Sequence, residues 1–199
     1  MDFSNSAHYV LDMFRDADLE EALTTLGQVL QDRGETHDVV VIGGGALLLL
    51  GLIERPTTDL DAVARVEGER WLRAEPFPDG LRRAVTDVAA ALDLEDDWLN
   101  PGPAGLVDLG LPDGFEVRAI VRAYGTLTIR LAAVEDLVAF KLYAAADHWP
   151  DQSRHLADLR RLGPTRDRLV AAAQGAPAAG GAPSPRGRAS KVAHCHPAT

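Results

Sequence analysis

Apolar residues recur at helical spacing through the first part of the chain. Tyr9, Val10, Met13 and Phe14 form one set, and Leu19, Leu23, Leu26, Val29 and Leu30 a second. This pattern predicts helix over residues 8–33 in two pieces, with Gly34 as terminator. The run Val39-Val40-Val41-Ile42 is β-branched throughout, the mark of a strand buried on both faces. Three glycines then turn the chain into an apolar helix over 46–53, which must stop before Pro56. A second strand is predicted over 59–66, followed by a charged loop. Residues 80–94 carry an apolar stripe of Leu81, Val85, Val88, Ala89 and Leu92, as an amphipathic helix does. Residues 98–112 are rich in Pro and Gly and read as irregular. Alternation over 115–124 and 127–131 predicts two strands joined at Gly125. Helices follow over 134–146, 153–162 and 164–174, the last with Pro164 suited to its start. The predicted fold class is α/β (α+β): a small mixed sheet with flanking helices and a helical C-terminal portion. Helices over 1–37 join a single domain over 38–174.

Beyond residue 174 the pattern stops. Residues 175–199 contain no Asp or Glu and almost no large apolar side chain, so they cannot bury enough surface to order themselves. His194, Cys195 and His196 lie in that tail, where accidental spacing accounts for them better than a metal site. The 199 residues suffice for one domain, and a 46% apolar content fits a real core. A net charge of −10 argues against a broad nucleic-acid-coating surface but leaves room for a local basic pocket. One cysteine excludes an internal disulfide framework and fits a reducing cytoplasm. There is no secretory signal pattern at the N-terminus. The longest uncharged apolar run, 39–53, is interrupted by glycines and is shorter than the ~20 residues a membrane span needs.

Within this frame, candidate chemistry gathers over 38–64. A strand that ends in Gly43-Gly44-Gly45 and opens a helix gathers backbone N–H groups and a positive helix end, which suits phosphate. A tight turn without a ligand explains the glycines alone equally well. A dinucleotide fingerprint needs a glycine where Leu48 stands, and a P-loop needs a lysine that is absent. The segment beyond the helix is more specific. Arg55, Thr57, Asp59 and Asp61 alternate, so a strand beginning early enough presents them on one face. Paired carboxylates repel unless a cation lies between them, and a divalent metal with hard oxygen ligands is the natural candidate. A polar edge strand is the bland alternative. Farther on, Lys141 falls on the apolar stripe of Val134, Leu137, Val138, Leu142 and Ala145. It is therefore expected to point inward, toward the Asp59/Asp61 cluster or a bound phosphate.

A glycine turn followed by D-x-D on the next strand resembles the DNA-polymerase-β-like nucleotidyltransferase superfamily. The form G-G-x-A-L with R-x-T-x-D-L-D resembles the AbiEii/MenT-type toxins and the related DUF6036 nucleotidyltransferases. The stretch 141–159 resembles the second block of that family, with Arg154-His155 where Lys-His or Lys-Asp is common. The resemblance implies a polymerase-β-like fold and a site in which Gly43 and Gly44 cradle the phosphates of an NTP. It further implies that Asp59 and Asp61 hold Mg²⁺, that Arg55, Thr57 and Lys141 face the triphosphate, and that Asp158 is a further catalytic or orienting acid. Asp108 and Glu116 are candidates for a third carboxylate. The implied reaction moves an NMP from an NTP to a tRNA end or a protein hydroxyl, possible partners including a cognate antitoxin. A non-catalytic nucleotide- or partner-binding regulator is the rival reading.

Overall fold

The computed structural model describes residues 15–148 and 153–175. Its elements run α1 (Asp16–Asp32), β1 (His37–Ile42), α2 (Gly43–Leu49), β2 (Leu60–Glu67), β3 (Arg70–Arg73), α3 (Asp79–Leu92) and β4 (Leu99–Asn100). A 3₁₀ turn (Gly102–Gly105) leads into α4 (Leu106–Leu109), α5 (Phe115–Arg118), β5 (Ile120–Tyr124), β6 (Leu127–Leu131), α6 (Val134–Asp147), α7 (Ser153–Leu162) and α8 (Arg166–Gly175). The expected tail and the helical piece over 8–14 lie outside the described residues, apart from Gly175 at the end of α8.

The mixed α/β architecture expected from the sequence is present. Strands order as β3-β2-β1-β6-β5, with β4 against the start of β2. The strand β1 runs parallel to β6 and antiparallel to β2, so the sheet is mixed. Its four C-terminal residues are buried because helices cover both faces, which explains the unbroken β-branched run. The main core joins Leu19, Leu23 and Leu26 of α1 with Val39–Val41, Leu81 and Val88 of α3, and Ile129 of β6. A satellite cluster of Val138, Ala139, Leu159 and Ala172 binds α6, α7 and α8 to one another.

The register of β1 against β2 decides where chemistry falls. Ile42 pairs with Asp61, so the chain leaves the sheet at Gly43 directly beside that carboxylate. The glycines are the first turn of α2 rather than a loop before it, and α2 ends at Leu49 instead of running to residue 53.

Three other expectations are corrected. Residues 115–118 form a helical turn, not the beginning of a strand. Phe115 is drawn into the core, edge-on to Trp71 at 5.6 Å and Phe140 at 5.8 Å, and Arg118 grips buried Asp136. Tertiary packing there overrides the local alternation. Residues 70–73, expected in a charged loop, return as β3 through a hairpin in which Gly68 supplies the positive φ of 62°. Finally, β2 begins at Leu60, so Arg55, Thr57 and Asp59 precede the strand, and no single strand face carries all four polar residues. Pro56 interrupts any earlier extension.

Candidate functional site

Although the strand face is absent, its residues still converge. Gly44, Arg55, Thr57, Asp59, Asp61 and Lys141 line one open pocket of about 200 Å³, with Arg154 and His155 completing its wall. The irregular segment 54–59 folds back over α2, where Thr57, nearly buried, donates from Oγ1 to the Asp59 carbonyl at 3.3 Å.

Each glycine answers a different neighbour. A Cβ on Gly43 would stand 2.2 Å from Asp61 Oδ2, and the residue's φ of +78° is itself unfavourable for an L side chain. At Gly44 a Cβ would crowd Thr57 Oγ1 at 3.1 Å, and at Gly45 it would strike the Asp59 carbonyl at 2.9 Å. The triple glycine therefore lets the acid-bearing segment lie against the helix start. Gly44 borders the pocket; Gly43 supports Asp61 from behind.

The electrostatics divide the site into two parts. Burial, reinforced by the charge of Asp59, pushes the Asp61 carboxyl up to about 6, against the opposing charges of Lys141 and Arg154 and a hydrogen bond from Asn100. Asn100 sits opposite Asp61 in the β2–β4 register, and its Oδ1 accepts from the Gly102 amide at 2.9 Å. A half-desolvated pair of carboxylates is under-neutralised in this way, and its hard oxygens fit a small divalent cation. No group of three His, Cys, Asp or Glu side chains arranged to hold a metal occurs among the described residues. Two carboxylates are nonetheless a normal protein share for Mg²⁺, which takes its other ligands from substrate phosphates and water. Asp108 pairs with Arg73, and exposed Glu116 lies on α5; neither lines the pocket.

The other part is a buried ion cluster. Lys141 points inward as its position in the apolar stripe required, 6% exposed. Its counter-charge is Asp158 at 2.7 Å, rather than the Asp59/Asp61 pair. The same carboxylate receives Arg55 through Nε at 2.9 Å and Nη2 at 2.6 Å. Burial raises the Asp158 carboxyl, but the hydrogen bonds and charges of Arg55 and Lys141 outweigh it and hold the group below its usual range. Asp158 thus stands behind the pocket and fixes two cations at its wall. His155 does not hydrogen-bond Asp158. It is 8% exposed, and burial together with the charges of Lys141 and Arg154 pushes its imidazole down.

Sequence reasoning did not single out Arg154, His155 or Asn100 for this pocket. Arg154 and His155 precede Asp158 by four and three residues, a helical spacing that places all three on one side of α7. Asn100 carried no signal, because it lies in a Pro/Gly-rich stretch whose pairing with β2 is only two residues long.

Residues 17–152 match the family model described as "Nucleotidyltransferase of unknown function (DUF6036)". The chain belongs to this family. Membership places it among the nucleotidyltransferases, proteins whose substrate is an NTP. The matched stretch contains the glycine turn, Arg55, Thr57, both pocket aspartates and Lys141, whereas α7 lies beyond it. No curated protein and no solved structure gives a match. Among the described residues no helix is long and apolar enough to cross a membrane.

Proposed function

We propose that this DUF6036 nucleotidyltransferase catalyses Mg²⁺-dependent transfer of an NMP from an NTP to an acceptor hydroxyl. The observation that carries the reading is the pocket itself. The Asp59/Asp61 pair faces a wall bearing Arg55 and Lys141, so one cavity offers both a cation site and a phosphate site.

In the reaction the acceptor oxygen bonds to the α-phosphorus, the bond from that phosphorus to the pyrophosphate oxygen breaks, and the acceptor proton is released. Asp59 and Asp61 would hold a divalent ion, which would supply charge for activating the acceptor oxygen and for neutralising the phosphates. Arg55 and Lys141 face the triphosphate with their donors already oriented by Asp158, so little reorganisation is needed as charge shifts toward the leaving group. Asp158 is a positioning residue in this scheme. Gly44 and the α2 amides, which have no side-chain cap, allow close approach of phosphate oxygens. Thr57 holds the Asp59 backbone in place.

The R-x-T-x-D-L-D form favours an AbiEii/MenT-type role, with the protein as the toxin of a toxin–antitoxin pair and a tRNA end or protein hydroxyl as acceptor. Incubation with each labelled NTP, Mg²⁺ and either total RNA or lysate tests the reading. Label is expected on one acceptor class and is expected to vanish with Asp59→Ala or with chelator. Absence of transfer to any acceptor, combined with tight NTP binding, would favour a non-catalytic regulator instead.

A further inference from the structure

The nucleotidyl-transfer reading leaves two groups in the pocket without a task. Most cations of the site already have partners. Asp158 engages both Arg55 and Lys141, so one carboxylate is shared between two cations and offsets half of their charge. Arg154 differs. It lines the same pocket, is exposed, and has no carboxylate within ion-pair distance among the described residues. Its whole fork is left for a ligand, whereas Arg55 and Lys141 share their donors with Asp158.

Its chain neighbour is complementary. His155 is more than nine-tenths buried, lines the pocket, and its Nδ1 is sealed from solvent with no hydrogen-bond partner among the described residues. With Nδ1 sealed, Nε2 is the ring nitrogen left to meet a ligand. A sealed N–H with no acceptor is rarer and costlier than a sealed lone pair. The proton of the neutral ring therefore belongs on Nε2, and His155 presents the cavity with a donor rather than a base. The nearby charges of Lys141 and Arg154 favour the neutral ring.

We propose that Arg154 and His155 together form a donor pair on α7 that binds the pyrophosphate portion of the nucleotide, distinct from the Arg55–Asp158–Lys141 cluster. A guanidinium fork beside a ring N–H suits adjacent phosphate oxygens. The facing Asp59/Asp61 pair repels a bare anion, so the ligand class is a condensed phosphate accompanied by a divalent cation. This inference rests on the nucleotidyltransferase reading but specifies which residues receive the leaving group.

The test is calorimetric titration of the full chain with pyrophosphate and with a non-hydrolysable NTP analogue, both in Mg²⁺. Wild type binds both. Arg154→Ala weakens pyrophosphate binding about tenfold or more, and Arg154→Lys restores only part, because a point charge does not replace the fork. His155→Gln, which keeps a donor at the corresponding reach, binds within about threefold of wild type, while His155→Ala does not. Because Arg154 is exposed, its substitution tests the pair without disturbing the core. Wild-type-like pyrophosphate affinity in both alanine variants overturns the donor pair and leaves the nucleotidyltransferase reading intact. An Arg154→Ala variant that binds pyrophosphate normally but raises the KM of the acceptor also overturns it, by moving Arg154 to the acceptor side. Wild type that binds neither ligand overturns both readings.

Discussion

At the residue scale, the two parts of the site respond oppositely to pH and to substitution. Asp61 titrates at about 6 in the folded chain, above its ordinary 3.8. A carboxyl raised in this way stabilises the fold fully below its unfolded pKa and loses that contribution as pH rises through the folded value. The difference corresponds to about 3 kcal/mol. Asp61→Asn in chelator is therefore expected to melt above wild type at pH 7–8, with the gap closing as pH falls through 6 toward 4, while nucleotidyl transfer is abolished. Added Mg²⁺ should raise the wild-type melting temperature and not that of the variant; thermal melts across pH with and without Mg²⁺ read both effects. Asp158 runs the other way. Its depressed pKa gives stability that is present above its unfolded value and lost as pH falls through the folded one. Asp158→Asn leaves Arg55 and buried Lys141 without their shared anion and is expected to cost about 3–5 kcal/mol in denaturant unfolding at pH 7. Activity falls with it because the two cations lose their orientation. Gly43→Ala combines a positive φ with a Cβ driven into Asp61, so roughly 1–2 kcal/mol of strain should accompany loss of metal-dependent activity.

Among the elements, the sequence revealed what local pattern controls and concealed what distant packing controls. The β-branched run, the glycine turn and the inward lysine could be read because burial on a strand or helix leaves a periodic trace. Asp59 and Asp61 were legible as a pair, yet the strand face proposed for them was not the means of their convergence. The segment 54–59 reaches the pocket as an irregular fold-back against the glycines, and its contacts are long-range. The turn α5 shows the same limit. Its residues alternate like a strand, but Phe115 finds Trp71 and Phe140, elements separated from it in the chain. Phe115→Ala should therefore cost about 3–5 kcal/mol in denaturant unfolding, as for a buried aromatic truncation. A surface strand residue in the same place would cost far less. The Arg154–His155 contribution was hidden for a chemical reason: charged residues at a helix start ordinarily face solvent, and only the α6–α7 packing shows that one of these two is buried.

On the scale of the whole molecule, a net charge of −10 has to coexist with a polyanionic substrate. The chain reconciles them by pairing most of its arginines internally. Arg33, Arg73, Arg118, Arg122 and Arg130 each hold a carboxylate within ion-pair distance. Among the described residues Arg70, Arg83, Arg154, Arg160 and Arg166 have none, and the last three belong to α7, which brings Arg154 to the pocket, and to α8. An RNA acceptor that makes its phosphate contacts on these two helices does so against long-range repulsion from a chain of net negative charge. Three contacts to a single strand give a log–log salt slope of about −2, shallow for a nucleic-acid-binding protein. Replacing Arg160 and Arg166 together with alanine should flatten that slope by about 1.4 and weaken RNA binding, while leaving pyrophosphate affinity unchanged. A protein acceptor predicts something different: acceptor KM nearly independent of salt and indifferent to both substitutions. Measuring acceptor KM between low and physiological salt, in wild type and in the double variant, therefore separates the two acceptor classes, because only a polyanion responds to both salt and the lost arginines.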